Sequence, residues 1–587
     1  MKIYQTLALA WLLSLNTVSF AHNFTKFYFF GDSLTDVGNF PGFAPWTNEH
    51  GKLWANVLAE HYDQNIAPSK KSGGTDYAFF GSTTDHLVNT QLKQLLQQDQ
   101  SLPSERAQAL YSIWSGANDL FALEKVPVPQ QAEALIKITE HGTENLVTAL
   151  NELYHHGARY ILLLNMPDLG SVPGEAKHSE QATAAAKYFN THLLNKINNL
   201  PFDVIQLDIF TLLQQVYNHP ADYGFTNITE ACGKNTACPG YLFFDSVHPT
   251  VAGQKIIGDY VISVLTAPQF TTILSQLPNA AFTGQNQVIA QNLSPRTDHL
   301  LLGKTVFFTG GNYGNNKGTA LNNSSQTNLA NNNTNLTAGI LYGVNEALSV
   351  GAAFGYTDSG MSYAQLNNSS IKWHTKLVNL FASYQFRAAY LNAIFSYGTL
   401  NFTDIHRRFY LGSHLEDAVA STTGSAYNIH TDTGYQLINQ NNFTTGPYLS
   451  LDYLNIKIDP YTEKGAHAAN IAYNAQKHDH LTSTLGWEAT LKSQLDSIEA
   501  QTRVFIAGNR QWLDGNKDIH FHVASLHGSH ASLPVENGAA GNYLSAGTSI
   551  STKLTRQLGV SLGYEFDKNN HDLAQHSVTL NLQYHIN

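Results

Sequence analysis

Leu336-Thr337-Ala338-Gly339-Ile340-Leu341-Tyr342-Gly343-Val344 sets an apolar side chain at 336, 338, 340, 342 and 344, with small or polar residues such as Thr337 and Gly339 between them. After a short turn, Leu348, Val350, Ala352, Phe354 and Tyr356 take up the same rhythm. A period of two belongs to a strand whose two faces meet different surroundings. It returns in Leu558, Val560, Leu562, Tyr564 and Phe566, and again in Val578, Leu580, Leu582, Tyr584 and Ile586 at the end of the chain. From about residue 300 onward, about twelve such segments follow one another with short and long connections in rough alternation, the pattern of a membrane barrel with apolar side chains outward and polar ones inward. A soluble sandwich also alternates. An exported N-terminus, the strand count and the apolar last strand favour the barrel. Asn331-Asn332-Asn333 and the stretch 514–541, rich in Gly, Ser and His, read as its long loops.

The half that precedes the barrel has a different rhythm. Short apolar runs at 26–30, 111–114, 160–165 and 204–207 alternate with helical patterns such as 130–154 and 180–198. Apolar strands separated by helices predict a parallel sheet covered on both faces, with functional residues at the carboxyl ends of its strands. Residues 268–293 read as helical, beginning at Pro268 and interrupted at Pro278-Asn279; 26 residues at ~1.5 Å each reach about 39 Å, enough to thread a barrel lumen.

At the N-terminus, Lys2, an apolar run over 7–15 and Ser19-Phe20-Ala21 predict a secretory signal peptide, residues 1–21, cut after Ala21. That run is too short to span a bilayer, and no other stretch of ~18 apolar residues exists, which excludes a helical membrane protein. Of the 587 residues 13% are charged and the formal net charge is −11, a balance that argues against a nucleic-acid partner. The 29 Tyr, 30 Phe and 43 Gly fit a β-rich chain with aromatic girdles. Cys232 and Cys238 are the two cysteines. In an exported chain they are expected to pair as a local disulfide, and with no third cysteine a thiolate metal site is not expected.

Four short blocks in the first half carry chemistry. Phe30-Gly31-Asp32-Ser33-Leu34 puts a serine just past a strand and before a helix, where the helix dipole favours developing negative charge. Asp245-Ser246-Val247-His248 puts a carboxylate three residues before a histidine, so one tight turn supplies both a base and the group that holds its tautomer. Phe80-Gly81-Ser82 offers an unobstructed backbone N–H, and Ser115-Gly116-Ala117-Asn118 offers a side-chain amide; both are donor types that an acyl-transfer oxyanion needs. Each block alone has a plain structural explanation as a cap, a turn or a loop.

Together, and in this order, the blocks resemble the GDSL family of lipases and esterases, also called SGNH hydrolases, over roughly residues 25–260. The resemblance implies a three-layer α/β fold and hydrolysis of acyl or lipid esters without a cofactor or metal. It implies Ser33 as nucleophile, His248 as base, Asp245 as the residue orienting His248, and an oxyanion site built from the Ser33 N–H, Gly81 and Asn118. Asp76 stands where the family often has Asn, and Phe80 where it often has Gly. The whole chain resembles the autotransporter subgroup, which implies a signal peptide (1–21), a hydrolase passenger (22–266), a linker helix through the barrel (267–300) and an outer-membrane barrel (301–587). It also implies handling by the barrel assembly machinery and display of the hydrolase at the cell surface. Such barrels commonly end on an aromatic residue, whereas this chain ends Tyr584-His585-Ile586-Asn587.

Two rivals come from other classes. A surface adhesin or structural barrel with an inactive α/β domain fits the architecture, but the complete Ser, Gly, Asn, Asp and His set speaks against it. A metal-dependent enzyme is suggested by 26 His, with His520, His522, His527 and His530 near one another and His478 beside His480. These lie far from Ser33 in the presumed loops, where solvated histidines are the plainer expectation.

Overall fold

The computed structural model describes residues 24–42, 45–233, 237–293, 302–322, 325–363, 366–440, 442–495, 498–514, 518–535, 541–569 and 574–586. The expected signal peptide, 1–21, lies outside the described residues.

The apolar runs of the first half form four parallel strands in the order β1 (Phe27–Gly31), β2 (Leu110–Trp114), β3 (Tyr160–Leu164) and β4 (Ile205–Leu207). Every residue of β1 and β2 is buried, so neither strand shows the polar alternation of a half-exposed sheet. Tyr28, Phe30, Tyr111 and Ile113 face a core completed by Leu150 and Leu153 of the helix Gln131–His156 and by Phe189 of the helix Ser179–Ile197. Phe27, Phe29 and Trp114 face the opposite core, covered by Trp54 and Leu58 of the helix Trp54–His61 and by Ile256 and Tyr260. The result is the expected three-layer α/β domain.

In the second half, twelve antiparallel strands close into a barrel among the described residues. The first, Thr305–Asn322, pairs with the last, Ala574–Ile586. His414–Tyr435 pairs with Phe443–Ile458, and Ile438–Gln440 adds a short strand at that connection. Closure leaves no sheet edge to face lipid. The alternation falls as expected: Leu336, Ile340, Tyr342, Phe354, Leu562, Leu580 and Tyr584 are exposed on the outside, while Asn335, Thr337 and Asn581 are buried inside. One expectation is corrected. Residues 331–333 are not a loop but part of the strand Ser325–Gly343, where Asn333 points inward and accepts a hydrogen bond from Ser359 Oγ at 2.6 Å. Its side-chain oxygen is thereby paired, while its buried Nδ2 has no hydrogen-bond partner among the described residues.

A single helix, Val251–Leu293, joins the halves. It starts within the α/β domain and continues through Pro268 and Pro278, so the expected interruption is absent. A free helix kinks or breaks at such prolines, but this one is packed around most of its circumference. Inside the barrel Gln285 accepts from Thr337 Oγ1 at 2.6 Å, Gln287 Nε2 donates to Glu565 at 2.9 Å, and Val288, Ile289 and Leu293 pack on Val306, Phe308 and Phe381. Gly284 and Gly355 permit this approach: a Cβ at Gly284 would lie 2.1 Å from Asn335 Nδ2, and one at Gly355 would lie 2.2 Å from Gln285 Oε1.

The end of the barrel that meets the α/β domain is elaborated rather than loop-like. Tyr461–Thr462, Ile471–Tyr473, Ile519–Val523 and Ala531–Leu533 form a separate four-stranded sheet, which corrects the reading of 514–541 as a loop. Ile519, Phe521 and Val523 alternate inward into the same apolar cluster that holds Trp54, Leu207 and Tyr260, so the α/β domain and the barrel share one continuous core. Polar contacts reinforce it. Val204 N donates to His530 O at 3.2 Å, Gly412 N donates to Asp259 at 2.8 Å, and Tyr223 OH donates to Glu416 at 2.7 Å. The histidines singled out in this stretch, His520, His522, His527 and His530, lie on that sheet or its connections; among the described residues no group of three or more His, Cys, Asp or Glu is arranged to hold a metal ion.

Candidate active site

Strand β1 ends on Gly31, whose φ of +152° allows a tight exit; a Cβ there would lie 2.3 Å from Trp114 O. Gln91, buried, clamps the same residue by accepting from Gly31 N at 3.0 Å and donating to Gly31 O at 2.7 Å. The chain then turns instead of entering the expected helix, with the amides of Thr35 and Asp36 donating to Asp32 O, and Ser33 is left at the carboxyl edge of the sheet. From the other end of the domain, the turn before the long helix brings in His248. Its Nε2 lies 2.8 Å from Ser33 Oγ, across 215 residues of sequence. Its Nδ1 lies 2.7 Å and 2.9 Å from the two oxygens of Asp245. Asp245 is itself fixed by the amides of Val247 and His248, at 2.9 and 2.8 Å. Ser33 and His248 are 7% and 6% exposed, enough to be reached yet mostly out of water. Burial pushes the Asp245 carboxyl up, but the His248 hydrogen bond and charge and the two amides outweigh it, and its pKa lies below the ordinary value.

Gly81 sits on an exposed turn at φ +70°, where a side chain would be strained though nothing crowds it. Among the described residues neither Gly81 N nor Ser33 N has a hydrogen-bond partner. Asn118 Nδ2 donates to Ser82 O at 3.0 Å and, more weakly, to Asp32 Oδ2 at 3.3 Å. Burial raises the Asp32 carboxyl to about 6, against the pull of the Leu34 amide and the His248 charge. Cys232 and Cys238 are bonded as a disulfide, with Cα atoms 5.7 Å apart. Cys232 N and Gly233 N donate to Phe243 O and Phe244 O, so the bridge abuts the strand that delivers Asp245.

Three carboxylates to which the sequence assigned no role hold these groups in place. Asp36 accepts from the amides of Gly38, Asn39, Phe40 and Phe80, tying the turn after Ser33 to the loop that carries Gly81. Asp76, fully buried, accepts from Val37 N at 2.8 Å and Ala78 N at 3.0 Å, and burial raises its carboxyl well above the ordinary range. Asp119 accepts from Thr84 N and Oγ1 at 3.0 and 2.7 Å, locking the Asn118 turn to the Gly81 loop. The Asp-x-Gly-Asn spacing of Asp36-Val37-Gly38-Asn39 was the available signal, an acidic side chain capping its own turn.

Residues 27–261 match the family model described as GDSL-like lipase/acylhydrolase, and residues 307–565 match the autotransporter β-domain. The chain carries a GDSL-like hydrolase domain followed by an autotransporter β-domain. The GDSL match covers all four parallel strands and both Ser33 and His248, and the autotransporter match spans most of the closed sheet together with the four-stranded sheet at its end. Esterase EstA of Pseudomonas aeruginosa is 27% identical, the match covering 94% of each chain. Lipase 1 of Photorhabdus luminescens is 22% identical over 89% of this chain and 90% of its own. The translocator domain of the autotransporter NalP from Neisseria meningitidis is 16% identical with a TM-score of 0.42, covering 55% of this chain and 99% of that domain. The autotransporter barrel lies in the outer membrane, with the GDSL domain at the cell surface.

Proposed function

We propose that this autotransporter hydrolyses carboxylic esters at the cell surface through an acyl-enzyme on Ser33. The observation that carries this reading is the Ser33–His248–Asp245 chain of hydrogen bonds, each 2.9 Å or shorter. In this mechanism His248 Nε2 takes the Ser33 proton as Oγ attacks the ester carbonyl, while Asp245 holds the Nδ1 proton and stabilises the imidazolium. The oxyanion is received by the free amides of Ser33 and Gly81, and by Asn118 as it exchanges its longer bond to Asp32 for one to the substrate. The bond from the acyl carbon to the alcohol oxygen breaks and His248 returns its proton to the departing alcohol. Water then repeats the sequence, releasing the carboxylic acid and restoring Ser33. No step requires a metal or cofactor. In this reading the strand Ala574–Ile586 presents Val578, Leu580, Leu582 and Tyr584 to lipid, and the barrel assembly machinery inserts the barrel.

The test uses the full chain purified in detergent. Wild type is expected to hydrolyse a short-chain p-nitrophenyl ester, and Ser33→Ala to lose about 10⁴-fold or more in kcat with its melting transition intact. An adhesin with an inactive α/β domain predicts no turnover by either. Undiminished hydrolysis by Ser33→Ala would refute the assignment.

A further inference from the structure

One wall of the site is aromatic and is not used by the hydrogen-bonding chemistry above. Phe80 directly precedes Gly81. Its ring stacks on the indole of Trp46 with centroids 4.2 Å apart and planes at 21°. The same indole stacks on the imidazole of His248 at 5.4 Å and 28°. Phe40 packs against both, 5.0 Å from Phe80 and 6.3 Å from Trp46. Phe79 closes the group, 5.7 Å from Phe40. These four rings are only half-buried, unlike the sheet aromatics Phe29 and Phe30, which are fully buried. Part-buried aromatics grouped beside a nucleophile offer a face on which a ligand can pack. The two loops that bear them are joined by Asp36, which accepts from the amides of Phe40 and Phe80.

The position of the wall decides which part of an ester it meets. During acyl transfer the leaving oxygen must come within hydrogen-bond reach of His248 Nε2, because that nitrogen returns the proton. A group attached to that oxygen therefore lies beside the imidazole, and the surface there is the Trp46–Phe80 stack. The oxyanion points instead to Ser33 N and Gly81 N, and the acyl chain takes the remaining direction. We propose that the Phe80–Trp46 stack, flanked by Phe40, is the binding surface for the alcohol portion of the substrate, and selects esters whose leaving group is apolar and flat, such as aryl esters. Stacking on Trp46 keeps the leaving oxygen beside Nε2. The rings thus supply binding and orientation at one time.

This inference rests on the Ser33 reading, and the test separates the two. Trp46→Ala, Phe80→Ala and Trp46→Phe are made in the full chain. For each, kcat/KM is measured on two ester series: acetates of methanol, phenol and 2-naphthol, and phenyl esters of acyl chains from two to eight carbons. Every rate is normalised to that variant's phosphonylation by a fluorophosphonate, whose leaving group is fluoride and owes nothing to the stack. The Ala variants are expected to lose about tenfold on naphthyl acetate, progressively less on phenyl and methyl acetate, and by a constant factor along the acyl series. Trp46→Phe, which keeps a ring, is expected to recover most of the loss. A loss that tracks acyl length, or that is equal for methyl and naphthyl acetate, overturns the proposal while leaving Ser33 in place. Failure of wild type to react with the fluorophosphonate overturns the Ser33 reading instead.

Discussion

At the scale of single residues, the site depends on what surrounds each carboxylate. Asp245 is held ionised by His248 and two amides, so its charge is available to the imidazolium that forms during turnover. Asp245→Asn keeps the shape and removes the charge. It should lower kcat on the order of 10³-fold, less than His248→Ala does, and steady-state kinetics on one ester decides the order. Equal rates for Asp245→Asn and wild type would reduce Asp245 to a turn residue. Asp32 is the opposite case. Burial raises its carboxyl from 3.8 to about 6, so the folded chain binds this proton more tightly than the unfolded chain. Stability from this group is therefore fully present below about pH 4, falls as pH rises to 6, and is absent above. The difference is on the order of 3 kcal/mol. Asp32→Asn cannot ionise, so its melting temperature relative to wild type should rise between pH 4 and pH 7. Calorimetry of both proteins across that range checks the sign, and a constant offset would contradict it.

At the scale of elements, the loop bearing Gly81 is positioned by side chains rather than by regular structure. Asp36 accepts three amides of its own turn and the amide of Phe80 beside Gly81, and hydrogen bonds to a charged group are worth about 1.5–3 kcal/mol each. Asp36→Ala should cost about 10²-fold in kcat/KM with the far-ultraviolet spectrum unchanged; full activity would show that Gly81 needs no such anchor. The disulfide closes a short loop and is worth about 2 kcal/mol. Replacing both Cys232 and Cys238 by Ser should lower the melting temperature by a few degrees and spare most activity. The elements were largely legible in the sequence because their periods are physical: β1 and β2 are apolar throughout because both faces are covered, and the barrel strands alternate because one face meets lipid. Ser33, Gly81, Asn118 and His248 were legible because each block carries a residue type its chemistry demands. Asp36 and the Trp46–Phe80 stack were not, since their partners lie on different loops and no local period links them. Asn333 was misread for a related reason. Composition alone suggests a turn, and only register shows that it points into a polar lumen.

At the scale of the whole molecule, hydrolase and barrel are one packed body rather than a tethered pair. Arg407, buried on the strand Ala389–Leu411, makes a bidentate pair with Glu463 at 2.7 Å, and its guanidinium also donates to Ser263 O and Ala469 O. Ser263 belongs to the long helix just as it leaves the hydrolase, so this one side chain joins helix, barrel wall and outer sheet. Glu463→Gln strands the guanidinium and should destabilise this junction by about 3–5 kcal/mol. Limited proteolysis should then cut the helix near Ser263 in the variant and not in wild type. The central claim joins chemistry to place: an ester hydrolase acting through Ser33 on the outer face of the cell. Its most direct test is labelling of intact cells with a membrane-impermeant fluorophosphonate, followed by heat-modifiable electrophoresis of the outer membrane and mapping of the labelled peptide. The expected result is one heat-modifiable band labelled at Ser33 without cell lysis, and no label in Ser33→Ala. A label that appears only after lysis, or that maps to another serine, would contradict the claim.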